Sequence, residues 1–145
     1  MLSPDCSTSS KNITRLTYIP KTKRLEEDLE VITSKIAKRI DRLERKHAHL
    51  AGLYGESYET KIFQSSRETR KLELATIITT KETEREGIQK MKAQKVREYY
   101  KILEILVPCR KEYLKILKFE ERELDAAAKD KIFLNNSFLN IDYNF

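Results

Sequence analysis

Lys35, Lys38, Arg39, Arg42, Arg45 and Lys46 are the residues whose types and spacing point most directly to a chemistry, the electrostatic capture of an anion. At about 100° per residue they form one stripe of a helix, with Asp41 and Glu44 on its other side. A helix that needs only solubility intersperses its signs, so sorting of this kind favours an anionic partner surface. A solvated, lysine-rich face is the competing reading of the same pattern. Lys90, Arg97 and Lys101 share a second basic face, opposite Ile88, Tyr99 and Leu106, and Arg110, Lys111, Lys115 and Lys118 follow it. If their helices pair antiparallel, the two faces merge into one positive surface. The net charge of +6 suits the same class of partner.

Catalytic chemistry finds little to work with. The chain has no Gly-rich phosphate loop, no HExxH and no local signature of a Ser-His-Asp site. Its two histidines, His47 and His49, are two residues apart and point about 200° away from each other on a helix, so they do not chelate one metal. His47 falls on an apolar stripe and reads as a packing residue. The carboxylates lie among basic neighbours at helical spacing, as on solvated faces. Cys6 and Cys109 are far apart with no clustering and read as reduced thiols of a cytoplasmic protein. We expect a non-catalytic chain with no cofactor and no metal.

The elements that must carry these residues read as helices. Charged residues make up 36% of the chain, and three glycines and three prolines in 145 residues are too few for strands joined by hairpins. Residues 1–21, with Ser3-Pro4, Ser7-Thr8-Ser9-Ser10 and Ile19-Pro20, read as a disordered leader. Residues 22–133 read as a helical coiled-coil domain. Its first helix carries Leu25, Leu29, Ile32, Ile36, Ile40, Leu43, His47, Leu50 and Tyr54 at steps of three and four. Gly52 and Gly55 place a turn or bend near 52–57, unless the helix runs through and the glycines admit a close neighbour. A second helix starts at about Tyr58, although Gln64 to Lys71 offers no apolar side chain and is either an exposed bridge or a weak point. Its apolar period passes Gly87 and continues beyond Pro108, which is expected to kink the helix rather than end it. Residues 134–145, uncharged apart from Asp142, read as a flexible tail.

The fold class expected is therefore all-α, an extended helical hairpin or bent coiled-coil rod. Leu29, Ile36, Leu43 and Leu50 on one helix and Ile88, Tyr99, Leu106 and Tyr113 on the other form the pairing seam. Two helices leave much of such a seam uncovered, so a homo-oligomer or a helical protein partner is expected. Tyr99, Tyr100 and Tyr113 lie near basic residues, but Tyr99 and Tyr113 fit the seam period, so nucleic-acid binding is not adopted. No run of about 18 apolar residues suggests a membrane-spanning helix.

Two stretches resemble BAR-domain proteins, and most closely the Chibby-interacting BAR family. One is Arg42-Leu43-x-x-Lys46 followed by Leu50. The other is Lys95-Val96-x-Glu98-x-x-Lys101, continuing to Val107 and Arg110-Lys111-Glu112-x-Leu114-Lys115. Together they span about residues 36–118. The family has three helices where two are read here. The resemblance implies a bent antiparallel coiled-coil dimer whose basic face binds anionic, curved membranes, with recruitment to the base of cilia. The function expected is a non-catalytic coiled-coil adaptor binding anionic membrane surfaces and protein partners through its basic stripes. The alternative is a structural subunit of a cytoskeletal, centrosomal or axonemal assembly with no lipid role.

Overall fold

The structure, a computed structural model, describes the backbone of residues 4–58 and 65–143 and the side chains of 18–55, 57–58 and 66–132. Three α-helices and no strand occur among the described residues: α1 (Pro4–Tyr54), α2 (Ser65–Ile88) and α3 (Val96–Tyr143). The all-α expectation holds, and the two-helix expectation is corrected to three.

The first break is the glycine turn. α1 ends at Tyr54, and Gly55–Ser57 forms a single 3-10 turn that Gly55 enters at φ +67. That left-handed conformation carries a steric cost for any residue with a Cβ, so glycine is the residue that suits it. Tyr58, where the second helix is expected to start, is helical, and residues 59–64 lie outside the described residues. The second break was not foreseen. α2 ends at Ile88, Gln89–Met91 forms a 3-10 turn, and the Lys95 carbonyl accepts the Tyr99 N–H at 2.9 Å to open α3. No strong helix breaker marks residues 88–95. From Ile88 to Tyr99 is also about three full helical turns, so the apolar phase carries across the break unchanged.

Helix continues through both prolines, as expected at Pro108 and against expectation at Pro20. Pro20 lies inside α1, which starts at Pro4 and so includes residues read as leader, and Thr22 is buried in the same helix. Pro108 lies inside α3 and is exposed, and it leaves the carbonyl of Glu104 without its helical N–H partner. α3 continues to Tyr143 through much of the expected tail, whose side chains lie outside the described residues.

The chain divides into two compact units, Met1–Ser34 with Glu73–Glu112 and Lys35–Leu72 with Tyr113–Phe145. In the first, Leu29 and Ile32 of α1, Leu74 of α2 and Val96, Tyr99, Leu103, Leu106 and Val107 of α3 are buried. In the second, Ile36, Leu43 and Leu50 of α1 and Leu114, Leu117 and Leu124 of α3 are buried. Each fully buried leucine contributes about 1.5–3 kcal/mol. Of the seam residues, Ile88 and Tyr113 are half-buried, Ile88 because the chain turns away there. Within each unit most of the seam is covered by segments of the same chain.

Candidate anion-binding groove

The second unit is organised around two adjacent carboxylates. Leu117 and Leu124 set the apolar phase of α3, and Glu120 and Glu121 fall between them, 3% and 8% exposed. A buried carboxylate needs cationic or hydrogen-bonding partners, because desolvation alone costs several kcal/mol. Glu121 receives them from α1: Arg39 Nη1 donates to it, Lys46 Nζ donates at 3.0 Å, and Arg42 Nε lies 3.8 Å away. Glu120 receives Lys71 Nζ of α2 at 2.9 Å and lies 2.8 Å from His47 Nε2 of α1. Within this unit, Arg39 to Glu121 and Tyr54 Oη to the Ala127 carbonyl advance together along α1 and α3, so these two segments run parallel. Lys71 to Glu120 and Arg67 to Glu123 advance in opposite senses, so α2 runs antiparallel to α3.

These contacts account for the stretch that lacks apolar residues. Arg67 donates to Glu123, and its guanidinium sits 4.2 Å from the centre of the Phe119 ring, while Leu72 is 66% exposed. This part of α2 attaches through charge and cation–π contact rather than through a leucine face. Gln64 lies outside the described residues. His47, expected as a packing residue, is half-buried between the Glu120 carboxylate at 2.8 Å and the Tyr58 ring, whose centre lies 6.0 Å from its own.

The titration behaviour of the cluster follows from its contacts. Burial pushes the Glu121 carboxyl up, but the hydrogen bonds from Arg39 and Lys46 outweigh it and hold the group below the usual carboxylate range. Burial works against the Lys46 ammonium, and the bonds to Asp125 and Glu121 more than offset it, so its affinity for the proton rises.

Outside this buried layer lies a groove of about 470 Å³ lined by Lys35, Lys38, Arg39, Asp41, Arg42 and Arg45 of α1 and Lys118 of α3. Its cations are of two kinds. Arg45 is pinned by Asp41, with Nη2 at 2.7 Å from the carboxylate and Nε at 3.4 Å from the backbone carbonyl, and Arg39 is pinned by Glu121. Lys35, Lys38 and Lys118 are exposed and make no ion pair among the described residues. Asp41, expected away from the stripe, sits at its edge, because it is one turn before Arg45. Five of the six stripe residues line the groove. Lys46 is drawn inward, to Glu121 and to Asp125 at 2.6 Å. Lys90, Arg97 and Lys101 are exposed residues of the first unit and are not among the lining residues.

The sequence reading missed Glu120 and Glu121 as the anchors of the stripe. The signal was present, since a charged pair occupies the seam phase between Leu117 and Leu124. Among the described residues, no group of three His, Cys, Asp or Glu side chains could hold a metal, and no helix is long and apolar enough to cross a membrane. Cys109 is a free, half-buried thiol. No family model, curated protein or solved structure matches the chain.

Proposed function

We infer that this chain is a non-catalytic helical adaptor that binds anionic membrane surfaces through the groove of its second unit. The observation that supports the reading is the division of labour among the cations. Arg39 and Lys46 serve the buried carboxylates, whereas Lys35, Lys38 and Lys118 stand exposed with no internal partner among the described residues. Each basic side chain near an anionic bilayer contributes about 1 kcal/mol, so three to five of them give reversible attachment without an anchor. The resemblance of this stripe to BAR-family sequences supports the same reading, and with it a cytoplasmic site of action, including the base of cilia. The test is co-sedimentation with vesicles of neutral lipid and of neutral lipid mixed with phosphatidylserine. Binding should require the anionic lipid and should weaken steeply between 50 and 500 mM salt, where the Debye length falls from about 14 to about 4 Å. Equal pelleting with both vesicle types would reject it.

A structural coiled-coil subunit, paired with itself or with another helical protein, is the second reading. It is favoured by Leu72 and Ile132, which are 66% and 48% exposed in the same unit. Co-purification with a protein partner, together with no vesicle binding, would put it first.

A further inference from the structure

Resting on that membrane reading, we propose that the groove takes a multiply phosphorylated headgroup, a ring bearing two phosphate monoesters, as a discrete ligand in preference to singly charged lipid. Size comes first. About 470 Å³ falls within the roughly 300–1,000 Å³ of small-ligand sites. Such a space is large for one phosphodiester and suited to a substituted six-membered ring.

Charge balance narrows the choice. Six cations line the groove, and Asp41 and the neighbouring Glu121 offset two of them, which leaves a surplus of four. One phosphodiester supplies a single negative charge. Each phosphate monoester supplies about −1.5 to −2 at neutral pH, so two of them match the surplus. The donors also come from two helices, α1 and α3, and so close on a ligand from two sides.

Preorganisation is the third argument. Arg39 is held by the buried Glu121, so this guanidinium is fixed before any ligand arrives. Arg39 Nε is buried without a hydrogen-bond partner. The three lysines supply mobile point charges that can follow the phosphates. A flat solvated face has no need of an arginine braced on a buried carboxylate.

The experiment compares vesicles carrying phosphatidylinositol bisphosphate with phosphatidylserine vesicles of equal surface charge, using the full chain. We expect binding about tenfold tighter to the bisphosphate vesicles, a difference of about 1.4 kcal/mol. Free inositol trisphosphate should displace the chain from them. Lys118→Ala should erase the preference while the exposed control Lys129→Ala, outside the groove, keeps it, with circular dichroism checking that both fold. Equal binding at matched charge would overturn the proposal and leave the membrane reading standing. Binding to no anionic vesicle, with no uptake of free inositol trisphosphate, would overturn both. Uptake of the free headgroup without vesicle binding would support the phosphate-ring site and overturn the membrane reading.

Discussion

Glu120 and Glu121, neighbours on α3, divide the cations of the second unit between them, Glu120 taking Lys71 of α2 and His47 of α1 and Glu121 taking Arg39 and Lys46 of α1. Two side chains only 100° apart on one helix thus tie three helical segments together. The same pair sets how much of the basic stripe remains for anything outside the protein.

Glu121→Gln separates these two roles. Removing the charge leaves Arg39 without its carboxylate and should destabilise the unit by about 1–3 kcal/mol, read as a lower melting temperature. The groove gains one unit of surplus charge, so affinity for anionic vesicles should rise about fivefold. Loss of stability with loss of binding would show that Glu121 only holds the fold.

Acid should act through the same residue. The folded Glu121 carboxyl titrates below its unfolded value of about 4.3, so its contribution is fully present above that pH and disappears as pH falls through the folded value. Melting temperature should fall below about pH 4, and the fall should be shallower in Glu121→Gln. Parallel curves for the two proteins would assign the acid sensitivity to other carboxylates.

In the first unit, Glu82 accepts Arg85 at 2.6 and 3.0 Å and lies 3.5 Å from Arg110. Burial lowers the proton affinity of the Arg110 guanidinium, although Glu82 opposes this. Glu82→Ala should leave two cations facing each other and cost about 2–3 kcal/mol in a denaturant titration. Adding Arg110→Met should recover part of the loss. No recovery would mean that Glu82 acts through Arg85 alone.

The sequence made the helical class plain, because an apolar residue every three or four positions from Leu25 to Tyr54 has no other regular solution. Gly55 announced its turn by type, since its φ of +67 suits a residue without a Cβ. The break at 88–95 stayed hidden. Its residues favour helix, and the step from Ile88 to Tyr99 preserves the phase, so only packing against other segments decides it. The stripe from Lys35 to Lys46 was legible as charge, but its partition was not. Which cations turn inward depends on Glu121 and Asp125, about 80 positions further on, and local periodicity does not carry that information.

Pro108 tests the continuity of α3. Pro108→Ala restores a donor for the Glu104 carbonyl and should raise stability by up to about 3 kcal/mol, with a small gain in helical circular dichroism. An unchanged melting curve would place the proline where no helical bond is missing.

The role of the groove is tested most directly by reversing its charge. Lys35→Glu, Lys38→Glu, Arg42→Glu and Lys118→Glu together alter exposed positions around the groove and none of the buried leucines. Co-sedimentation with phosphatidylserine vesicles at about 0.1 M salt, where charges interact over about 10 Å, should then fall to the level seen with neutral vesicles. Helical circular dichroism should stay near that of the unmodified chain. A folded variant that pellets with anionic vesicles as the original does would contradict the assignment of this groove as the binding surface.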